Sequence, residues 1–315
     1  MSIKGYKAFN RGMICKGKQY EENTTYEENG NEICEAGVMH FCENPFDVLN
    51  YYPFIDENGD ISDFAQVEAI GDIYKREDKS ATNKLHIGAK LGLKGFIKAC
   101  VDFTIEKTRI EPAKDNETDS GGNYAQIGSS GNSAQIGSSG YYAKIGSSGN
   151  SAQIGSSGDS AKIGSSGDSA KIGSSGYYAQ IGSSGNSAKI GSSGNSAQIG
   201  SSGDSAKIGS SGYYAQIGSS GNSAQIGSSG NSAKITSEGN NSVVMAAGYN
   251  SIVKAKIGSW ITLAEWIRTD KANDSGNYIW IPKCVKTEYV DGERIKEDIF
   301  YKLVDGEFKE VESED

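Results

Sequence analysis

The middle of the chain alternates apolar and polar positions in a nine-residue pattern that repeats thirteen times. Its isoleucines run at constant spacing from Ile127 to Ile235, and an Ala precedes each of them by two residues. Residues two apart on a β-strand face the same side, so the Gln or Lys between Ala and Ile faces the other side. In the Ser-Ser-Gly-Asn turn that follows, we expect Gly to adopt positive φ and Asn or Asp to tolerate it.

Two interpretations of this stretch compete, a flexible linker and a stacked β-solenoid. Gly and Ser dominate the composition, as they do in linkers. A linker, however, has no reason to place a large apolar residue at every ninth position. The periodicity therefore favours a solenoid, in which each repeat buries its apolar face on its neighbours.

Tyrosine pairs indicate how many repeats form one coil. The pairs are Tyr141-Tyr142, Tyr177-Tyr178 and Tyr213-Tyr214, which follow one another at a constant interval of four repeats. Asn123-Tyr124 lies half that interval before the first pair. If bulky pairs share one side of the solenoid, a coil of two repeats fits these intervals and a coil of three does not. We predict a mainly β fold, a two-sided parallel solenoid with two repeats, or eighteen residues, per coil.

The predicted core is thin, because only Ala and Ile from the two sheets meet at its centre. At least one Ser of each turn would also point inward. A buried hydroxyl needs a hydrogen-bond partner, so we expect stacked serines bonded to backbone carbonyls or to one another.

The charged residues of the repeats are interpreted as structural. Coils of two repeats would stack three lysines whose like charges repel across a sheet. These are Lys171, Lys189 and Lys207. Asp159, Asp168 and Asp204, each three residues before a lysine, would relieve that repulsion. Calcium-binding nonapeptide rolls carry Asp two residues before the large apolar position, where this chain has Ala, so we predict no calcium site.

The pattern divides the chain into four segments. They are an α+β domain over 1–110, a connector over 111–122, the solenoid over 123–257 and a C-terminal cap with antiparallel β-hairpins over 258–315. In the first segment we predict strands over 4–9, 33–34 and 65–70. Apolar positions over 95–109 predict an amphipathic helix, which we expect to cover the open first coil of the solenoid.

The last repeats are degraded, as terminal repeats often are. One inserted residue would make Met245 the equivalent of the repeat isoleucine. We expect four residues to seal the last coil: Trp260, Ile261, Leu263 and Trp266. Asp291-Gly292 and Asp305-Gly306 lie between alternating runs and predict two hairpin turns among three strands.

Composition and charge exclude some function classes. The net charge is −9, and only the repeat block carries more basic than acidic residues. It lacks the dense Lys/Arg stripe that phosphate binding requires, which argues against direct nucleic-acid binding. We see no membrane-spanning run and no signal peptide, so we predict no membrane association. Five cysteines without disulfide spacing indicate a reducing cytoplasm.

Few residues suggest chemistry. Cys34, His40 and Cys42 are weak candidates for zinc, because their spacing matches no standard site. His86 lies in an alternating strand-like run and is interpreted as structural. No nucleophile elbow or phosphate-binding loop is present. We therefore predict no catalytic, cofactor-binding or metal-binding residues.

Several short sequences in the first 105 residues carry a resemblance to a known family. They are YKAFN at 6–10, Cys15, Gln19-Tyr20, Cys34-Glu35, GVMHFCENPFDVLNYY at 37–52 and LHIGAKL at 85–91. They resemble an uncharacterised N-terminal domain of bacterial and especially bacteriophage proteins that often precedes β-helical repeats. The nonapeptide repeats resemble those of the same proteins. This family carries no established activity. The resemblance implies a phage accessory protein that acts in the cytoplasm of a bacterial host cell.

These observations favour a non-catalytic protein that binds a protein partner. The six paired tyrosines are the partner-binding candidates, because Tyr offers rigid area and a hydroxyl. Alternatively, the first Tyr of each pair caps the core and the second covers a turn. Given the resemblance, the partner would be a bacterial defence protein, blocked sterically.

Two other functions remain open, and so does homo-oligomerisation. One is an enzyme seated in the N-terminal domain, which His40→Ala would inactivate. The other is a structural spacer or virion component, which would be found in purified particles.

Overall fold

The computed structural model has two parts, a small N-terminal domain and a long parallel β-solenoid that ends in antiparallel strands. It describes residues 2–30, 37–56, 58–76, 78–108, 117–272 and 278–313. Strands far outnumber helices among these residues, which confirms a mainly β fold.

Short strands build the N-terminal domain. In chain order they are β1 (Ile3–Phe9), β2 (Ile14–Cys15), β3 (Lys18–Gln19), β4 (Thr24–Glu27), β5 (Met39–Phe41), β6 (Asp63–Ala69), β7 (Ile73–Lys75), β8 (Ser80–Thr82) and β9 (Lys84–Leu91). The main antiparallel sheet has the order β1-β6-β9-β4, and β5-β8-β7 form a second sheet. The strands predicted over 4–9 and 65–70 are confirmed. The strand predicted over 33–34 lies outside the described residues.

Two helices complete the domain. α1 (Pro45–Val48) follows Asn44, whose side chain caps it by accepting the N–H of Phe46 at 3.0 Å. α2 (Leu93–Lys107) turns its apolar side toward the interior, which confirms the predicted amphipathic helix.

Two sheets form the solenoid, and each coil contributes one strand to each of them. The first, which we call the open sheet, contains β10 (Glu117–Ser120), β12 (Gln135–Ser138), β14 (Gln153–Ser156), β16 (Lys171–Ser174), β18 (Lys189–Ser192), β20 (Lys207–Ser210), β22 (Gln225–Ser228), β24 (Val243–Ala246), β26 (Trp260–Ala272) and β27 (Tyr278–Tyr289). The second, the covered sheet, contains β11 (Gln126–Ser129), β13 (Lys144–Ser147), β15 (Lys162–Ser165), β17 (Gln180–Ser183), β19 (Gln198–Ser201), β21 (Gln216–Ser219), β23 (Lys234–Ser237), β25 (Ile252–Ala255), β28 (Phe300–Val304) and β29 (Glu307–Val311).

The pairing register sets the coil at 18 residues. Ile154 pairs with Ile172 in the open sheet, and Ile163 pairs with Ile181 in the covered sheet. The predicted two-sided solenoid is therefore confirmed, and it makes about eight turns. The stack begins with β10, inside the segment predicted to be a connector.

Alanine and isoleucine fill the core, and the serine after Ile-Gly joins them from Ser138 to Ser228. Ser165 and Ser183 are both 0% exposed. Their hydroxyls have no hydrogen-bond partner within the described ranges, so the predicted bonding of these serines is wrong. Successive coils lie about 4.8 Å apart, whereas an O–H···O bond spans about 2.5–3.0 Å. A hydroxyl therefore cannot reach its counterpart on the next coil.

The turns assign glycine a different role from the predicted one. Positive φ belongs to the serine or tyrosine after the Asn, Asp or Tyr, as in Ser169 (58°) and Tyr178 (55°). The turn glycine instead lies on the backbone of the previous coil. A Cβ on Gly185 would stand 2.0 Å from the carbonyl oxygen of Gly167. Glycine is therefore required by the closeness of the coils.

The predicted insertion before Met245 is wrong. Val244 pairs with Ile226 and is buried, so it is the equivalent of the repeat isoleucine. Met245 occupies the outward position that Gly227 holds one coil earlier. The nine-residue period thus continues through Val244 and Val253 and is one residue shorter at Ile261, which pairs with Val244.

Antiparallel strands close the C-terminal end. β26 begins as the last parallel strand of the open sheet and then pairs with β27 in a long hairpin. Ile261 and Leu263 are buried in the core, whereas Trp260 is 48% exposed and does not seal it. Asp305-Gly306 joins β28 to β29, as predicted. Asp291-Gly292 makes no hairpin, because β27 and β28 belong to different sheets.

α2 lies along the side of the solenoid and not over its end. Ile105 lies beside Gly128 of β11, and Leu93 lies beside Gly200 of β19. The helix thus runs back across five strands of the covered sheet, and the prediction that it covers the first coil is wrong. Outward glycines make this strip flat, so the apolar side of the helix is buried along its length.

The turn glycines lead to a stability prediction. Gly185→Ala should lower the free energy of unfolding by about 1–3 kcal/mol, because the added methyl meets backbone of the previous coil. Gly173→Ala is the matched control, since within the described parts of the chain nothing lies within 4 Å of its Cβ position. That change should be neutral or stabilise by up to about 1 kcal/mol. Urea unfolding measures both, and equal effects would contradict the stacking.

Candidate interaction surfaces

One edge of the solenoid carries exposed tyrosines. It consists of the turns that lead from the open sheet to the covered sheet, and we call it the tyrosine edge. Its tyrosines are Tyr124, Tyr141, Tyr142, Tyr177, Tyr178, Tyr213, Tyr214 and Tyr249. All six candidates are therefore brought together on one side. Tyr249 was missed, although it follows Tyr213 by the same interval of four repeats.

Neither tyrosine of a pair fills the core. The first of each pair is 51–53% exposed and the second is 46–65% exposed. The alternative in which the first tyrosine caps the core therefore fails. The second lies at the positive-φ position of the turn, where the coils between hold serine.

The turn side chains on the opposite edge show which hydrogen bonds the tyrosines replace. On the opposite edge, Asn or Asp in every coil accepts a backbone N–H of the next coil. Asn150 Oδ1 accepts the N–H of Asp168 at 2.9 Å, and Asp168 Oδ1 accepts that of Asn186 at 2.7 Å. This ladder runs unbroken from Asn132 to Asn240.

The ladder on the tyrosine edge exists only at alternate coils. Asp159 Oδ1 accepts the N–H of Tyr177 at 2.8 Å, and Asn195 Oδ1 accepts that of Tyr213 at 2.9 Å. A tyrosine in the same position has no acceptor to offer the coil that follows. Each such tyrosine thus forgoes a hydrogen bond worth about 1 kcal/mol.

Aromatic contacts lie at the two ends of the edge. Tyr124 and Tyr142, on adjacent coils, stack with centroids 5.2 Å apart. Tyr249 contacts Trp280 of β27 at 4.3 Å, so the hairpin adds a further aromatic side chain. The central pairs are two coils apart, about 10 Å. The coils between these pairs carry Asp159-Ser160 and Asn195-Ser196, and we call the spaces above these smaller residues notches.

The covered sheet shows how the outward face of a repeat can be occupied. Lys144 Nζ lies 2.6 Å from a carboxylate oxygen of Asp47. Lys162 Nζ donates to the carbonyl oxygen of Phe46 at 2.9 Å and to Asn50 Oδ1 at 2.6 Å. The N-terminal domain therefore supplies both apolar contacts to the glycines and acceptors to the lysines.

Burial changes the acid–base behaviour of three groups near this interface. It lowers the pKa of Lys162 to about 8, opposed in part by the Asp47 carboxylate. Burial raises the pKa of the Cys42 thiol to about 12 and that of Cys100 well above its ordinary value. These thiols are therefore protonated and unreactive at neutral pH.

The outward face of the open sheet is uncovered. Lys171, Lys189 and Lys207 pair in register, so the predicted lysine column exists. The carboxylates of Asp168 and Asp204 accept backbone N–H groups instead. No ion pair joins these three lysines to a carboxylate in the described part of the chain, so the predicted charge relief is not seen.

The metal and catalytic candidates are not assembled into a site. Cys34 lies outside the described residues. His40 belongs to β5, where its backbone oxygen accepts from Lys7 Nζ at 3.0 Å, and Cys42 is buried. His86 lies in β9, and its Nδ1 is 3.0 Å from Thr25 Oγ1. Within the described ranges, no group of three or more His, Cys, Asp or Glu could hold a metal.

Comparisons with known proteins reach only the N-terminal domain. Residues 3–99 match a family described as a domain of unknown function (DUF7666). No curated protein and no solved structure matches the chain. Among the described residues, no helix has the length and apolar character to span a membrane.

The interrupted ladder predicts that the tyrosines are dispensable for folding. Replacing each Tyr pair by Asn-Ser, the sequence of neighbouring coils, restores three side-chain acceptors. These bonds should offset the lost ring contacts, so the free energy of unfolding should stay within about 1 kcal/mol of wild type. Urea unfolding of the six-fold variant tests this. A loss of several kcal/mol would mean that the tyrosine rings stabilise the fold.

The buried Lys162 predicts a pH effect on stability. Between pH about 8 and 10.5, the unfolded chain holds a proton that folded Lys162 has lost. The unfolding free energy of wild type, relative to Lys162→Met, should therefore rise with pH across this window. The control is Lys171→Met, which removes an exposed lysine and so separates the effect of burial from that of losing a lysine. Chemical denaturation at several pH values measures both variants. If the stability difference between wild type and Lys162→Met fell as the pH rose, the lowered pKa of Lys162 would be refuted.

Proposed function

We propose that the chain is a non-catalytic binding protein whose tyrosine edge docks a protein partner. The observation that carries this is the alternation of the turn ladder. Tyrosines occupy positions where Asn would add a hydrogen bond, and their rings remain largely exposed. A residue that forgoes stability without filling the core is best explained by a contact outside the chain.

The chemistry of the tyrosine edge suits the binding of a protein partner. Tyrosine is enriched where interfaces bind most strongly, because it offers large rigid area and one hydrogen-bonding group. The notches between the pairs are lined by the half-buried Asp159-Ser160 and Asn195-Ser196, which add hydrogen-bonding groups beside the rings. Regular spacing on a stacked rod presents these groups without loop ordering, and such preorganisation lowers the entropic cost of binding.

The partner we propose is a bacterial host protein, in particular a defence protein blocked by steric occlusion in the cytoplasm. This rests on the resemblance of the N-terminal strings and repeats to phage-borne proteins. The thiols of Cys15, Cys42, Cys100 and Cys284 are free, which suits a reducing compartment. In this proposal no residue acts as a catalyst, and no cofactor, calcium ion or nucleic acid is bound.

Replacing the tyrosine pairs tests the proposal. We expect a variant with Tyr→Asn at 141, 177 and 213 and Tyr→Ser at 142, 178 and 214 to bind the partner at least about 100-fold more weakly. The loss should be this large because several central aromatic contacts disappear together. Affinity capture from host lysate identifies the partner, and titration with the purified partner gives the ratio.

A matched control changes the opposite edge. Asn186→Asp and Asn222→Asp introduce residues that this column already contains at Asp168 and Asp204. This variant should bind as wild type does. If the tyrosine variant also binds normally, or wild type captures no stoichiometric partner, the proposal fails. Recovery of the chain in purified virions would support a structural component instead.

A further inference from the structure

The two faces of the solenoid carry the same repeat but differ in what covers them. In the covered sheet the outward glycines are buried, among them Gly146, Gly164 and Gly182. In the open sheet the equivalent positions face solvent. We call these positions the glycine track: Gly137, Gly155, Gly173, Gly191, Gly209 and Gly227. For the central four, no atom of the described residues lies within 4 Å of where a Cβ would be.

The covered sheet shows what such a track binds. α2, a helix of 15 residues, lies along the glycines from β11 to β19. Ile97 lies beside Gly182 and Val101 beside Gly164, so apolar side chains of one helix face contact successive coils. Fifteen residues span about 22 Å at 1.5 Å per residue. Five strands span about 19 Å, so helix and track match in length.

The lysines beside the two tracks have different surroundings. On the covered sheet, Lys144 meets the Asp47 carboxylate, and Lys162 donates to the Phe46 carbonyl oxygen and Asn50 Oδ1. On the open sheet, Lys171, Lys189 and Lys207 form a continuous exposed column beside the glycines. A ligand for this face must therefore bring carboxylates along one flank. The lysine spacing of about 4.8 Å is close to the helical pitch of 5.4 Å, so acids at every third or fourth helical position would meet it.

Apolar residues bound one end of the track. Met245 occupies the glycine position on β24 and Val243 the lysine position, and both are about half exposed. Trp260 follows Val243 on the next strand and packs against Tyr289 at 5.2 Å. A bound helix would end against this patch, where Trp260 can report its arrival.

We infer that the glycine track of the open sheet binds an acidic amphipathic helix of a partner protein. The apolar stripe of that helix lies on the glycines, as α2 does on the other face. Its acidic flank pairs with the lysine column. This surface is separate from the tyrosine edge, and the inference does not depend on the function proposed for that edge.

A designed peptide provides the probe. It carries residues 91–108, which include α2, with Lys94→Glu, Lys98→Glu, Lys107→Glu and Cys100→Ala to supply acids and remove the thiol. We expect saturable binding to the full chain, measured by the fluorescence anisotropy of the labelled peptide and by a change in the tryptophan emission of the chain. The same peptide with its lysines retained should bind at least tenfold more weakly.

Two variants of the full chain locate the site. Lys171→Gln, Lys189→Gln and Lys207→Gln together introduce the residue that neighbouring coils already have, and should weaken binding at least tenfold. Gly173→Leu with Gly191→Leu fills the track where space is open, and should weaken it as much. The six-fold tyrosine variant should bind the peptide as wild type does. Peptide binding is therefore tested independently of the tyrosine edge.

Several outcomes would overturn the inference. These are an absence of peptide binding, equal binding by the acidic and lysine-retaining peptides, or binding unchanged by the glycine substitutions. Tighter, salt-dependent binding of a short DNA duplex by the lysine column would assign the face to nucleic acid. Self-association abolished by Gly173→Leu with Gly191→Leu in sedimentation experiments would assign it to a second copy of the chain.

Discussion

Close backbone stacking of one coil on the next is the constraint on which the rest of the structure depends. Strand hydrogen bonds join residues one coil apart, and turn hydrogen bonds continue the same pairing, as from the Ser169 N–H to the Asn186 carbonyl at 2.8 Å. Stacking at this distance leaves no room for a side chain over Gly167, and for that reason Gly185 is glycine. It also keeps the hydroxyls of stacked serines such as Ser165 and Ser183 too far apart to bond to each other.

The same constraint makes each outward position a column. A residue type that recurs in every second repeat forms a stripe along the rod. Small sequence differences between odd and even repeats therefore give the sides of the rod different surfaces. The covered sheet binds the N-terminal domain, the opposite edge carries an unbroken Asn/Asp ladder, and the tyrosine edge gives up alternate ladder bonds. The open sheet retains an uncovered glycine track beside three lysines. The same repeat therefore gives each side of the rod a different surface.

The sequence was sufficient for features that depend on period alone. The Ala-x-Ile spacing and the tyrosine intervals predicted the strands, the coil length and the shared tyrosine edge. Features that depend on contacts between distant residues could not be predicted in this way. Glycine was assigned positive φ because it adopts it readily, but its true neighbour lies one full coil earlier in the chain. The amphipathic pattern predicted α2 correctly, yet it does not specify the surface that α2 contacts, and the helix lies on the covered sheet.

Disulfide trapping tests the stacking most directly. In a background without native cysteines, Ser133→Cys with Ser151→Cys places thiols on adjacent coils of one edge, about 4.8 Å apart and within disulfide reach. Ser133→Cys with Ser160→Cys places them on opposite edges. The two-sided stack predicts rapid oxidation of the first pair and none of the second, measured by mass spectrometry of the intact chain. Rapid oxidation of only the second pair would indicate a three-sided coil and contradict the account.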